Sequence, residues 1–292
     1  MKIVLVSVLL FFFQVTRAQQ PHACGHAEME ELLLQEHPAL LQERAALKRF
    51  TETYTAHRQQ RVQSDTILFI IPVVFHIMHN YGEENISREQ VEDAVRIMNE
   101  YYQKRNADTA QIIPLFQPLI GDVQLEFRLA RLDPQGNCTD GITRHQTYLT
   151  NGGNDLLKAI VQWPPDRYLN IWVEKSTLNS FSAYAYLPGA PPAYDGIVVT
   201  HQYVGSIGTA QGSASVAILA HEAGHYFNLL HTWGPTNTPG LSSNCSFDDQ
   251  VFDTPNCIGG VCNLNAPGCM AGETSNVQNI MDYCFEQMFT LG

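Results

Sequence analysis

The stretch HEAGHYFNLLH, residues 221–231, constrains the chain more than any other. Residues four apart on a helix share one face, with roughly 5–6 Å between their Cβ atoms. His221 and His225 can therefore reach one metal ion. Glu222 lies beside the same face and can hold a water at that ion without displacing it. His231 comes six residues after His225, about 600° of further helical rotation, which carries it off that face. For a third imidazole to join, the helix must stop and the chain must turn sharply. Asn228 stands where that turn belongs. A left-handed conformation costs ordinary residues roughly 1–2 kcal/mol, and Asn tolerates it best after Gly. Three protein ligands with a fourth position open is the arrangement of a catalytic zinc.

The chain begins MKIVLVSVLLFFFQVTRAQQ. Lys2, an apolar run from Ile3 to Phe13 and then Thr16-Arg17-Ala18 have the pattern of a secretory signal peptide cleaved after Ala18. The run is well short of the ~20 apolar residues that cross a bilayer, so a secreted protein without a membrane span is expected. A net charge of -12 argues against nucleic acid and anionic membrane surfaces as partners. Seven cysteines in a secreted chain point to disulfides plus one odd thiol.

Residues 19–66 differ in composition from the rest of the chain. EMEELLLQEHPALLQERAALKRF is rich in strong helix formers and polar around its circumference, apart from a short leucine stripe. It reads as a pro-segment or as a solvated helical arm. The composition changes at TILFIIPVVFHIMH (66–79), a buried strand. A helix comes next, with Ser87 and Gln90 as a capping box and Val91, Ala94, Val95 and Met98 on one face. VQLEFRLARL (123–132), LNIWV (169–173) and GIVVT (196–200) read as strands. AYAYLPG (183–189) suits an edge, because Pro188 would break a central ladder. SASVAILAHEAGHYF (213–227) reads as a helix, and the rest is rich in Gly, Pro, Asn and Cys. This order predicts an α+β fold. His76 and His79 face opposite sides of their strand and cannot share a metal. His145 and His201 read as ordinary surface or core histidines.

QNIMDY (278–283) supplies a methionine turn, so HEAGHYFNLLH resembles the metzincin zinc signature. HEAGHYFNLLHTW, the DTP at 253–255, NIMDY, WPPDRYLNIWV (163–173) and GSIGTA (205–210) together resemble the pappalysin family of secreted proteases, in its ulilysin- and cytophagalysin-like branches. The likeness covers roughly residues 67–292. Asn228 stands where the metzincin pattern has glycine, and the chain stops at MFTLG where family members continue into a closing helix.

The resemblance implies a metzincin-type zincin with a mixed, mostly parallel sheet, an active-site helix and an irregular, disulfide-stapled C-terminal subdomain. It divides the chain into a signal peptide (1–18), a pro-segment (19–66) and a catalytic domain (67–292). His221, His225 and His231 would bind zinc, with Glu222 as general base. Tyr283 would stabilise the oxyanion, and Met281 would floor the imidazoles. Protein or peptide substrates would lie antiparallel to the edge strand, which makes Tyr184 and Tyr186 substrate-binding candidates. Glu286 would line the pocket just beyond the scissile bond, where a carboxylate selects Arg or Lys. The loop SFDDQVFDTPN (246–256) is similar to a calcium-binding loop, with Asp249 and Thr254 as best matches and Asp248 and Asp253 in reserve.

Among the six cysteines of the catalytic region, sequence alone does not choose a connectivity. The resemblance suggests Cys245–Cys269 and Cys262–Cys284, which leaves Cys138 and Cys257 for each other. Cys24 is the only cysteine of the pro-segment. As a thiolate it could fill the fourth zinc position, with Gly25 allowing close approach. Pappalysin-like zymogens resemble this arrangement, in which the chain's own pro-segment is its intramolecular inhibitor. A free thiol, or zinc binding by His22 or His26, are the rival readings. Activating cuts are expected in HRQQRVQSD (57–65), near Arg58 or Arg61. A secreted binding or adhesion protein on a degenerate protease fold is the competing reading of the whole chain, and the intact Glu222 argues against it. The methionine turn argues against a zinc hydrolase of non-peptide substrates.

Overall fold

The computed structural model describes residues 24–59, 68–213 and 215–290. The expected signal peptide, His22 and Arg61 lie outside the described residues.

The run FIIPVVFHIMH becomes β1 (Phe69–His79), the centre of the main sheet. It pairs in parallel with β2 (Leu125–Leu129), β3 (Ile142–Gln146) and β5 (Leu169–Glu174). β8 (Ile197–Thr200) extends the sheet in parallel beyond β5, and β7 (Ala183–Ala185) closes it antiparallel to β8. The strand order is β2-β1-β5-β8-β7, so β7 is an edge. β4 (Asn151–Gly153) and β6 (Ser176–Thr177) form a separate short ladder. β5 and β8 are buried throughout. A parallel strand covered on both faces has no polar side to show, which is why LNIWV and IVVT do not alternate.

One face of the sheet is covered by α3 (Arg88–Tyr102) and α4 (Ile218–Tyr226). Val91, Ala94, Val95 and Met98 of α3 enter the core as their spacing predicts. Only half of the capping box forms. Ser87 Oγ accepts from Gln90 N at 3.2 Å, whereas Gln90 Nε2 donates to His201 O (3.1 Å) and Val204 O (3.0 Å). That side chain ties the loop after β8 to α3. α4 starts later than the residue pattern suggests, because Ser215 Oγ accepts from Ala217 N at 3.1 Å and donates to the Glu286 carboxylate. Both bonds hold the chain before Ile218 out of the helix.

The other face carries Trp172, Val198, Tyr184 and Tyr186, and the N-terminal segment packs on it. α1 (His26–Glu36) is no solvated arm: Met29 and Leu33 are buried against Phe181, Tyr184 and Tyr186. α2 (Leu40–Gln59) is mostly exposed from Leu41 to Tyr54, and Arg44 Nη2 donates to Glu30 Oε2 (3.1 Å) across the turn between the helices. Residues 228–290 contain no strand or α-helix. They are stapled by Cys245–Cys269 and Cys262–Cys284, the two pairs the resemblance suggested. The third pair does not form: Cys138 is an exposed free thiol, and Cys257 is a buried one packed with Trp233 and Tyr283. The two sit in different surroundings, one at the surface and one in a small core. Among the described residues no helix is long and apolar enough to cross a membrane.

Candidate functional site

α4 places His221 and His225 on one face, fully buried, with their Nε2 atoms 3.1 Å apart. Asn228 then adopts φ +78°. Asn228 N donates to His225 O (2.9 Å) and Leu229 N to Gly224 O (2.9 Å). These are the paired hydrogen bonds of a Schellman stop around a left-handed residue. The turn returns His231 to the site, its Nε2 3.2 Å from that of His225. Asn228→Ala should therefore cost about 1–2 kcal/mol of stability, while Asn228→Gly should fold as well as wild type. Urea unfolding of both variants checks this, and equal stability would mean the turn carries no strain.

The imidazoles are aimed from behind. His221 Nδ1 pairs with Ile280 O (2.7 Å) and His225 Nδ1 with Leu229 O (2.8 Å). A carbonyl on Nδ1 fixes the proton there and leaves Nε2 as the electron-pair donor. His231 stacks on Trp233, with centroids 4.5 Å apart and planes at 7°. The Met281 sulfur lies against Gly224, where an added Cβ would run into it. The methionine turn thus dictates the small residue inside HEAGH. Asp282, next in that turn, is buried, and burial pushes its carboxyl up to about 6. It accepts from Thr232 Oγ1 at 2.9 Å and so steadies the residue after His231.

The fourth donor comes from the N-terminal segment. Cys24 Sγ lies 3.5 Å from His225 Nε2, and the ligand atoms of Cys24, His221, His225 and His231 all fall within 4.8 Å of one another. All four residues are buried. Burial, reinforced by the Glu222 carboxylate against it, pushes the Cys24 thiol well above its usual range. A divalent cation among the four donors would reverse that preference. One thiolate and three imidazoles suit zinc in number and kind. The residues present therefore fit the metal.

The segment holding Cys24 lies on the edge strand. Gly25 N donates to Ala183 O (2.8 Å), and Cys24 bridges Ala183 in parallel. Gly25 must be glycine, since a Cβ there would enter the Phe181 ring. His26 is a feature the sequence raised only as a rival ligand. Its Nδ1 pairs with Ala185 O (2.7 Å), and its ring stacks on His225 with centroids 3.9 Å apart. Burial lowers its pKa to about 4, which keeps the ring neutral in that stack.

Tyr283 is buried, its hydroxyl 3.0 Å from His231 Nε2 and 3.0 Å from Asn237 Oδ1. Nothing in the sequence motif marks Asn237. Tyr184 and Tyr186 need a correction. Tyr184 belongs to the edge strand and Tyr186 follows it directly, but their rings sit on the sheet face opposite α4, and both hydroxyls bond Asp155. Strand alternation sends Tyr184 to one face while the carbonyls of Ala183 and Ala185 line the edge. Backbone, not tyrosine, meets the chain lying there. Glu286 is buried, with its carboxylate on Ser215, just before α4. Asp249 is buried, and burial pushes it up to about 7; Thr254 is buried as well. Asp248 is exposed.

Comparisons with known proteins agree with this geometry. The sequence profile of the M43 peptidases, described as pregnancy-associated plasma protein-A, matches residues 153–292. None of the curated protein sequences matches the chain. Among solved structures, Tannerella forsythia mature mirolysin in complex with a cleaved peptide is 31% identical, with a TM-score of 0.68; the match covers 77% of this chain and 87% of that one. A point mutant of Tannerella forsythia promirolysin is 29% identical, with a TM-score of 0.74, covering 92% of this chain and 90% of that one.

Proposed function

The chain belongs to the pappalysin family of metzincins and is a zinc metalloendopeptidase; from that premise we propose that it is secreted and made as a zymogen latched by Cys24. The observation that carries the latch is the Cys24 sulfur, 3.5 Å from His225 Nε2 inside the histidine cluster. The pro-segment also covers the edge where a substrate would bind. It runs parallel to β7, the reverse of a substrate strand, so it occupies the cleft without presenting a bond for cleavage.

Zinc among the three imidazoles supplies Lewis-acid chemistry, drawing charge from a scissile carbonyl and acidifying a water. The chain's own residues do the rest. The edge carbonyls of Ala183 and Ala185 align the substrate backbone as an added strand. Glu222 takes the proton from the attacking water and passes it to the leaving amine. The Tyr283 hydroxyl donates to the carbonyl oxygen as charge develops on it. His221, His225 and His231 are held to their task by the Ile280 and Leu229 carbonyls and the Trp233 ring.

Two finer points complete the proposal. Glu286 would give a preference for Arg or Lys just after the scissile bond, and such an enzyme would cut its own 57–65 stretch. Asp249 and Thr254 would hold calcium, since a buried carboxylate beside a hydroxyl suits a hard cation. A proteome-derived peptide-library digest tests the reading, run without chelator, with a zinc chelator and with a calcium chelator. We expect cleavage enriched in Arg or Lys after the scissile bond, abolished by the first chelator and weakened by the second. Cleavage that survives zinc removal would sink the mechanism. Absence of Arg and Lys enrichment would remove Glu286, and indifference to the calcium chelator would remove the second metal.

A further inference from the structure

β7 is held in the sheet by only three residue pairs, all to β8. Its other edge is the substrate side. Once Cys24, Gly25 and His26 leave that edge, so short a strand is bonded on one side and needs support from elsewhere if it is to present its backbone in a fixed position. Behind it, on the face away from α4, lies a charge pair that the reaction does not use, its lysine buried and its aspartate partly exposed. Lys158 is fully buried, its Nζ 2.9 Å from Asp155 Oδ1. The same ammonium sits 5.4, 5.4 and 4.8 Å from the ring centroids of Trp172, Tyr184 and Tyr186. It also donates to Tyr194 O at 2.5 Å, in the connection from β7 to β8. Asp155 in turn accepts from Tyr184 OH (3.2 Å) and Tyr186 OH (2.5 Å).

We propose that Asp155 and Lys158 are positioning residues for peptide hydrolysis, gripping β7 through Tyr184 and Tyr186 so that its edge stands ready for the substrate backbone. An ion pair with one partner fully buried seldom adds net stability over an apolar filling of the same volume. Its use here is directional. Asp155 fixes one hydroxyl from β7 and one from just beyond its end, and Lys158 fixes the rings beside it and the carbonyl where the chain turns back. Burial, reinforced by the Asp155 charge, pushes the carboxyl of Glu174, buried nearby on β5, well above its usual range. Support behind a site, not contact with the reactants, is what such a pair provides.

The inference rests on the peptidase reading, and its test separates the two. The full chain is compared with Asp155→Asn and with the double variant Tyr184→Phe, Tyr186→Phe, which keeps both rings and removes only the hydroxyls. Hydrogen exchange of the intact chain reads the strand directly. We expect exchange at residues 183–187 to quicken about tenfold, the scale of one lost charge-assisted hydrogen bond, with β1 and β5 unchanged. After activation by a cut in the 57–65 stretch, KM for a peptide long enough to span β7 should rise by a similar factor. kcat should hold, and a short peptide that does not reach Ala185 should be unaffected, because uniform binding is what has been lost. Unchanged exchange at β7, or equal losses on long and short peptides, would overturn the clamp. A wild-type enzyme that cuts no peptide would instead overturn the peptidase reading and leave the exchange result to decide the clamp.

Discussion

Glu222→Gln should lower kcat/KM on peptides by roughly 10²–10⁴-fold and leave the zinc content unchanged. The amide has the shape of the carboxylate and cannot take a proton. Glu222 is not one of the four residues whose ligand atoms converge, although it sits buried beside them. The imidazoles are aimed by Ile280 O and Leu229 O, which the substitution does not touch. Metal content and chemistry should therefore separate. Atomic absorption gives the first, and casein hydrolysis by the activated enzyme gives the second. Wild-type turnover would take Glu222 out of the mechanism. Loss of zinc would make it a ligand, contrary to its place outside the cluster.

How much of this was legible in the sequence depended on how local the cause was. The Asn228 turn can be deduced by counting residues between His225 and His231, because a helix cannot bring both to one point, and the structure has the left-handed residue there. The edge position of β7 was legible through Pro188. The face its tyrosines take was not, because a three-residue strand gives too few alternations to say which face is the cleft. Asp155 and Lys158 lie well upstream of the strand they grip, and no spacing rule links them to it. No spacing rule marks Gly224 inside HEAGH, where the Met281 sulfur fills the space an added Cβ would take. The two disulfides came from family likeness, and Cys138 shows where counting the remaining cysteines fails. An exposed thiol and a thiol behind Trp233 and Tyr283 have no common neighbourhood.

Cys24→Ala should make the uncut chain active, on the order of tenfold above the uncut wild type. A latch sets a population. Each tenfold rise in the open fraction corresponds to about 1.4 kcal/mol removed from the closed state. Cys24 contributes the only sulfur in the cluster, and alanine leaves that position to water and substrate. Full activity is not expected from this change alone. Gly25 still bonds Ala183, His26 still stacks on His225, and Met29 and Leu33 still fill the apolar face. The uncut variant should therefore fall between latent wild type and processed enzyme, and it should mature faster if the chain cuts itself. A fluorogenic peptide assayed during purification, with gel analysis of the uncut band, measures both. Should the uncut variant stay as inert as wild type, latency belongs to the helix and to His26, and the thiol is only a bystander among the imidazoles.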